Sequence, residues 1–402
     1  MLKVAYLCEP QVGGTYTFFC RMRPALAKLG VEFICVPPSC AAIVEQSRFA
    51  SDEGIARLDY TDDPRLNIRL LCEYMIEHQI NIVMTQPIPE ILSLNILHYL
   101  PKEIGRMVYI PTITRAVMRL SVGMLPHVDH FVPVSPIVKY KMTRVWGIAP
   151  SKMTVIGSAI NKIQQCEPKK KNSVDPIKLL YVGRLVDEEK GVLFLPKIAH
   201  LLRQRDVRFH MTIVGSGSDG LRLQKEFTLR SLDDYVTFTG AVSLAQVEQN
   251  CAENHVLVMP SRFEGSPHAL LEGMSFGCVP VITNIRGATD AIIHDGKNGL
   301  LVSVGDTSTF AKKIAFLSSN QALYERMSCE ATKRASEYTA DKIAKQYLTL
   351  FDMIVNKPAY SEASWDLTQH QLVKVSSPYW KRIIPVFVKK IVRLLLVRLS
   401  ST

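Results

Sequence analysis

Short β-branched runs alternate with longer amphipathic stretches along this chain, and the alternation occurs as two separate series. Such spacing is typical of β-α-β units, in which helices join parallel strands. Residues 306–355 lack β-branched runs and are predicted to be helical. The predicted strands are residues 2–8, 32–36, 81–85, 106–110, 130–134 and 153–156 in the first series, and 178–182, 209–214, 235–238, 256–259, 279–282 and 300–302 in the second.

A polar segment separates the two series. Gln164–Pro176 contains two prolines and three consecutive lysines, which is typical of a linker. The chain has 402 residues, more than one hydrophobic core usually fills. We therefore predict an α/β protein with two Rossmann-like, doubly wound domains at 1–165 and 166–335. C-terminal helices and a basic amphipathic tail are predicted over 336–402.

Cysteine usage and charge narrow the class of protein. The nine cysteines are odd in number and include no C-x-x-C pair, which favours reduced thiols over disulfides or a zinc site. No signal-peptide pattern opens the chain, and we expect a cytoplasmic protein. The net charge of +11 is concentrated at the C-terminus, where seven Lys or Arg and no acidic residue follow Asp366. The folded body is therefore not expected to bind nucleic acid.

The C-terminal tail mixes aliphatic and cationic residues. Its longest uncharged run, Leu394–Val397, is far too short to span a bilayer. We expect residues 379–399 to lie at an anionic membrane surface, which would make the protein peripheral at the inner face of the membrane. The alternative is a helix packed on the protein body, a role that we assign to residues 339–355.

The first chemical motif follows the strand predicted at 178–182. That strand ends at Gly183, and two cations come next, Arg184 and Lys190. Arg presents a rigid fork of donors and Lys a mobile point charge, so the two together could neutralise a diphosphate. Two solvated surface cations are the alternative.

The second motif follows the strand predicted at 256–259. Glu264 lies on a loop, and Gly265, Ser266 and Pro267 lead into a predicted helix that contains Glu272. Proline is favoured at the first helical position, and a helix N-terminus offers free N–H groups to a phosphate. The two carboxylates are placed to bracket a ligand over the helix start.

These motifs resemble those of the retaining glycosyltransferases of family 4, which have the GT-B fold of two Rossmann-like domains facing a cleft. The E-x7-E signature corresponds to Glu264 and Glu272. The resemblance spans residues 177–305 and is looser in the first half, where it rests on Gly13-Gly14, residues 132–135 and residues 155–161.

The resemblance implies a role for each motif residue. Arg184, Lys190 and Glu264 would be catalytic, the two cations gripping the donor diphosphate and Glu264 contacting the transferred sugar. Glu272 would bind the ribose hydroxyls, and backbone amides at 266–269 would contact the phosphate. The full set of implied donor-binding residues is Glu272, Gly13, Gly14, Gly183, Gly215, Gly240, Gly265, Ser266, Pro267, His268, Ala269 and Leu270.

The resemblance also implies a reaction. A sugar would pass from a UDP- or GDP-sugar donor to a glycan or lipid-linked acceptor, with retention of anomeric configuration, in surface polysaccharide or glycolipid synthesis. The leaving phosphate would help to deprotonate the acceptor. No cofactor and no metal are expected, because the cations would take the place of Mg²⁺.

Three departures from the family pattern leave alternatives open. Residues 108–112 lack a frequent His, Ser158-Ala159 replaces Asn-Gly, and His268 and Asp290 replace a frequent Asn and Glu. A non-catalytic nucleotide-sugar-binding protein, or an epimerase or phosphorylase of the same fold, is therefore an alternative. A dehydrogenase is not expected, because residues 215–217 lack the third glycine and the later acidic residue of a dinucleotide fingerprint.

Overall fold

The computed structural model describes residues 1–10, 14–38, 52–87, 91–112, 127–161 and 176–356. Its first domain contains strands β1 (Leu2–Leu7), β2 (Val31–Val36), β3 (Ile82–Thr85), β4 (Gly105–Ile110) and β5 (His130–Pro133), with helices α1 (Gly14–Ala27), α2 (Pro64–Glu77), α3 (Ile91–Tyr99) and α4 (Pro136–Trp146) between or after them.

The second domain repeats the strand–helix alternation. Its strands are β6 (Ile177–Val182), β7 (Phe209–Val214), β8 (Val236–Gly240), β9 (Val256–Met259), β10 (Val279–Thr283) and β11 (Leu300–Val302). Its helices are α5 (Asp187–Lys190), α6 (Leu195–Arg203), α7 (Gly220–Thr228), α8 (Leu244–Glu253), α9 (His268–Ser275), α10 (Thr307–Ser319) and α11 (Gln321–Ala335), and a last helix, α12 (Ala340–Val355), follows.

Each domain is built on one parallel sheet. The first sheet has the strand order β2-β1-β3-β4-β5, and the second has the order β11-β10-β9-β6-β7-β8. In each sheet, successive strands are added first on one side of the starting strand, β1 or β6, and then on its other side. Ligands of such sheets bind at the carboxyl ends of the strands, near the point where this order reverses. The prediction of two doubly wound α/β domains with C-terminal helices is confirmed.

The strand predicted at 153–156 is wrong. The amides of Thr154 and Ile156 donate to the carbonyls of Phe131 and Pro133 at 3.1 and 3.2 Å, but only Met153 forms a bridge, with Phe131. To continue this parallel ladder beyond Phe131, residue 133 would have to donate its N–H back to the 153–156 segment. Pro133 has no N–H to donate. The segment therefore lies along β5 without extending the sheet.

The start of β8 also differs from its predicted position. Helix α6 begins at Leu195, after a 3-10 turn over Val192–Phe194. Tyr235 belongs to another 3-10 turn, so β8 starts one residue later than predicted and extends to Gly240. The domain boundary proposed at 165/166 lies outside the described residues.

The last helix belongs to the first domain's core. The chain crosses back beside Ile160, whose N–H donates to Tyr338 and whose carbonyl accepts from Ala340, both at 2.9 Å. Tyr347, Phe351 and Ile354 of α12 are buried among the strands and helices of the first domain. This is the role assigned from the sequence to residues 339–355. Residues 379–399 lie outside the described residues, and none of the described helices is long and apolar enough to cross a bilayer.

We expect Phe351→Ala to lower the free energy of unfolding by about 3–5 kcal/mol, because it empties a fully buried position between α12 and the first sheet. Met353→Ala on the same helix is the matched control, since Met353 is exposed, and it should change stability by less than about 0.5 kcal/mol. Urea unfolding of both variants measures this; equal effects would show that α12 does not seal the core.

Candidate functional site

Glycines tie together the ends of the central strands of the second sheet. The amide of Gly183, after β6, donates to Val214 at 3.0 Å, and the amide of Gly215, after β7, donates to Gly240 at 2.8 Å. Gly215 has φ +134, and a Cβ there would overlap the carbonyl oxygen of Gly183. The loops after β6, β7 and β8 therefore approach each other at backbone distance, while donor binding by Gly183, Gly215 and Gly240 stays a prediction.

The loop after β6 continues into α5 and brings Lys190 to Glu264. The amides of Arg262 and Phe263 donate to the carbonyl of Glu189 at 2.9 and 3.1 Å, which joins α5 to the loop after β9. Lys190 Nζ then donates to Glu264 Oε1 at 2.8 Å. Ser261 Oγ donates to the same oxygen at 2.7 Å. Glu264 is buried, and Oε2 has no partner among the described residues.

Arg184 occupies a different position from Lys190. Its guanidinium pairs with Glu189, and its side chain is 66% exposed. The two predicted cations therefore lie close together in the sequence after β6, but they pair with different carboxylates, Glu189 for Arg184 and Glu264 for Lys190. Arg184 remains at the rim, where its side chain can change position at little cost, whereas Lys190 is held against a buried carboxylate.

Glu272 lies on α9 and pairs with a residue of the first domain. Arg21, on α1, donates from Nη2 to Glu272 Oε1 and from Nη1 to the carbonyl of Ala159 at 2.9 Å. The Arg21 side chain is 3% exposed. A buried guanidinium is costly unless it is paired, so this contact fixes how α1 and α9 face each other. Glu272 Oε2 has no partner among the described residues.

His268, the first residue of α9, joins the same cluster. Its Nδ1 lies 3.2 Å from Arg21 Nη1, and its Nε2 lies 3.2 Å from Ser158 Oγ. Burial, and secondly the positive charge of Arg21, lower the pKa of His268 to about 4, so the imidazole is neutral at pH 7. Ser158 Oγ also contacts Ser266 Oγ at 2.8 Å.

Two glycines lie where the domains meet around α9. A Cβ on Gly14 would make only an ordinary contact with His268 Nε2, at 3.6 Å, whereas a Cβ on Gly265 would crowd the Pro111 carbonyl oxygen at 3.1 Å, just after β4. The structure thus brings Gly14, Gly265, Ser266 and His268 to the contact between the domains. The Leu270 side chain is buried in the second-domain core, and Gly13 lies outside the described residues.

One detail of the predicted helix start changes. Pro267 is the N-cap residue and not the first helical residue, because its ψ is 104° and α9 begins at His268. The free N–H groups of the first helical turn therefore begin one residue later than the sequence suggested. In the described part of the chain, no group of three or more His, Cys, Asp or Glu is arranged to hold a metal ion.

Sequence reasoning missed Arg21 as a member of the site. Its signal was available: Arg21 lies on the apolar face of α1, three residues after Phe18 and one before Met22, both buried. A cation on a buried helical face needs an acid or several carbonyls nearby. The sequence could not name Glu272 as that acid, because the two residues are 251 positions apart. Ser158 and Ser261 were missed because lone serines have no characteristic pattern.

The sequence of this chain was compared with those of known protein families. Residues 163–334 match the model of the family Glycosyl transferases group 1. This match covers the second domain.

A curated relative is the GalNAc-alpha-(1->4)-GalNAc-alpha-(1->3)-diNAcBac-PP-undecaprenol alpha-1,4-N-acetyl-D-galactosaminyltransferase of Campylobacter jejuni. It is 28% identical over 178 residues, which are 44% of this chain and 48% of that protein. The match thus spans about half the length of the relative.

Solved structures are similar over nearly the whole chain. A glycosyltransferase from Rickettsia africae has a TM-score of 0.71 at 18% identity, covering 89% of this chain and 99% of its own. Anabaena HepE, solved with UDP and glucose, has a TM-score of 0.69 at 14% identity, covering 88% of this chain and 100% of its own. At these identities the likeness establishes the GT-B fold, including the first domain, which the group 1 model does not cover.

The strand-end glycines generate a prediction. Gly215→Ala should lower the free energy of unfolding by at least about 3 kcal/mol, because a Cβ would overlap Gly183 in addition to the strain of a positive φ. Gly240→Ala is the matched control, since Gly240 also has a positive φ of +69 but nothing within 4 Å of a Cβ. It should lose only about 1–2 kcal/mol. Denaturant unfolding compares them, and a smaller loss for Gly215→Ala would contradict the close approach.

Proposed function

We propose that this protein is a retaining, metal-independent glycosyltransferase that moves a sugar from a nucleotide-sugar donor to a glycan or lipid-linked acceptor. The observation that carries the proposal is the state of its two glutamates. Each has one carboxylate oxygen held by a cation, Lys190 for Glu264 and Arg21 for Glu272, and one oxygen without a partner among the described residues. Both flank the start of α9, which belongs to the second domain.

The roles follow from this arrangement. Glu264 is the more buried of the two and would accept a hydrogen bond from a hydroxyl of the transferred sugar. Glu272 would accept hydrogen bonds from the ribose hydroxyls. Lys190 has two further N–H donors for a diphosphate after its contact with Glu264. Arg184 would swing from Glu189 to the same phosphates. Amides of the first turn of α9, including that of Ala269, add donors and a positive dipole end, whereas the Leu270 amide donates to the Pro267 carbonyl at 3.2 Å.

In the proposed reaction, the bond between the anomeric carbon and the diphosphate oxygen breaks as a bond to the acceptor oxygen forms on the same face. The acceptor proton passes to the leaving phosphate, so atoms and charge balance. Lys190 and Arg184 would stabilise the negative charge that develops on the leaving group. These cations would take the place of Mg²⁺, and no cofactor takes part.

The Anabaena structure holds UDP and glucose, and the Campylobacter relative is named for transfer to an undecaprenol-linked glycan. These names support a UDP- or GDP-sugar donor and a lipid-linked acceptor in surface polysaccharide or glycolipid synthesis. A non-catalytic donor-binding protein is the second candidate, favoured by the absence of His from residues 108–112. Hydrolysis or transfer of UDP- and GDP-sugars in the presence of EDTA distinguishes the two, and the enzyme should turn over without added metal.

Substitutions of the two glutamates should have different effects on nucleotide binding and on turnover. Glu272→Gln should weaken binding of the nucleoside diphosphate by about 1.5–3 kcal/mol, because its contact is with the nucleotide. Glu264→Gln should lower turnover and leave that affinity nearly unchanged, because its contact is with the sugar. Each variant leaves one cation without its carboxylate partner, so each is the control for the other. Calorimetry with UDP and GDP tests this, and equal losses of affinity would show that the roles are misassigned.

The proposed membrane association concerns the tail, outside the described residues. Six of the seven cations after Asp366 lie in residues 379–399, and each, contributing about 1 kcal/mol near an anionic surface, would help to hold the enzyme beside a lipid-linked acceptor. Deleting residues 379–402 should abolish cosedimentation with anionic vesicles and leave nucleoside diphosphate binding intact. Neutral vesicles are the control. Unchanged binding to anionic vesicles after the deletion would refute the association.

A further inference from the structure

Arg21, His268, Ser158 and Ser266 form a continuous chain of hydrogen bonds in the cleft. Arg21 and Ser158 come from the first half of the protein, and His268 and Ser266 come from the second domain. The contacts are 3.2 Å from Arg21 to His268, 3.2 Å from His268 to Ser158 and 2.8 Å from Ser158 to Ser266. The chemistry of the four side chains determines which atom donates at each step.

The first step is fixed by the guanidinium. Arg21 has only donors, so His268 Nδ1 must accept from Arg21 Nη1. A neutral imidazole with an unprotonated Nδ1 carries its proton on Nε2. That Nε2–H faces Ser158 Oγ and donates to it. The imidazolium form is disfavoured, because its Nδ1–H would point at the N–H of Arg21.

The second step follows from burial. Ser158 is 1% exposed, so its hydroxyl proton needs an acceptor within the protein. Among the described residues its Oγ contacts His268 Nε2, which is already a donor, and Ser266 Oγ. The proton of Ser158 therefore goes to Ser266. Ser266 Oγ accepts a second bond from the backbone N–H of Ser158 at 3.3 Å.

The consequence concerns the hydroxyl proton of Ser266. Its oxygen already accepts two hydrogen bonds, and its own proton has no acceptor among the described residues. Ser266 is partly exposed and lies two residues before α9, on the loop that also carries Glu264. An acceptor for that proton has to come from a molecule in the cleft, and beside Lys190 and the positive end of α9 an anionic oxygen is favoured.

We propose that this relay makes the Ser266 hydroxyl a dedicated donor to an anionic oxygen of the donor diphosphate. Ser266 is a contact residue, and Arg21, His268 and Ser158 are positioning residues that act through it. The inference rests on the proposed function. It adds that the first domain takes part in phosphate recognition through Arg21 and Ser158, without either residue reaching the phosphate.

The first experiment compares nucleoside diphosphates with their nucleosides. Ser266→Ala should weaken binding of UDP or GDP about ten- to a hundredfold, the range for a hydrogen bond to a charged group. It should leave millimolar binding of the corresponding nucleoside unchanged. Ser275→Ala removes a hydroxyl at the end of α9, one that donates to the Glu272 carbonyl at 2.7 Å, and is the matched control. Wild-type affinity for the diphosphate in Ser266→Ala would overturn the proposal.

A double-mutant cycle separates the relay from an isolated serine contact. Ser158→Ala releases the Ser266 hydroxyl to rotate and should weaken diphosphate binding several-fold. In the Ser158→Ala/Ser266→Ala double variant, the loss should be no larger than in Ser266→Ala alone, because Ser158 acts only through Ser266. Losses that multiply would show two independent effects and would overturn the relay.

The tautomer of His268 tests the proton order without any ligand. Nitrogen NMR at pH 7 should show the proton on Nε2, with His268→Gln assigning the signal, and Arg21→Lys should give a mixture of tautomers. A proton on Nδ1 in the wild type would refute the relay. If neither UDP nor GDP binds while the proton is on Nε2, the proposed function and the anion contact of Ser266 are wrong, and the internal proton order stands.

Discussion

A buried guanidinium constrains the cleft of this protein more than any other described group. Arg21 is almost fully withdrawn from water, and the cost of removing its charge from solvent has to be offset by Glu272, the Ala159 carbonyl and His268. Those partners lie on α9 and on the segment that follows the first sheet. The relative placement of α1 and α9, and with it the shape of the cleft, follows from pairing one cation.

The second domain relies on a different constraint, the backbone approach of its strand ends. A Cβ on Gly215 would overlap the Gly183 carbonyl oxygen, and a Cβ on Gly191 would overlap the Pro260 carbonyl oxygen. These contacts carry no charge, but they place Lys190 against Glu264 and so create the pair on which the proposed chemistry depends. Positions 191 and 215 require glycine for space as well as for their positive φ.

The two carboxylates of the E-x7-E motif are thus held by opposite domains. Lys190, from the second domain, holds Glu264, whereas Arg21, from the first domain, holds Glu272. A ligand that contacts both glutamates would sense the position of both domains. This arrangement gives the first domain a physical role beside Glu272, although the family match covers only residues 163–334.

Sequence periodicity was sufficient for the two-domain α/β architecture, because a buried parallel strand needs a β-branched run and a crossover helix needs an amphipathic one. It failed at 153–156, where the pattern is that of a strand but Pro133 on the adjacent strand β5 has no N–H to pair with it. The strand-end glycines, Lys190 and the glutamates were identifiable because their motifs are local. Arg21, Ser158 and the partner of each carboxylate were not, since burial and contact over 251 positions exist only once the chain is folded. The sequence by itself determined which elements form and which loops carry charge, and only the tertiary structure decided which charges meet, because pairing depends on desolvation and distance rather than on order along the chain.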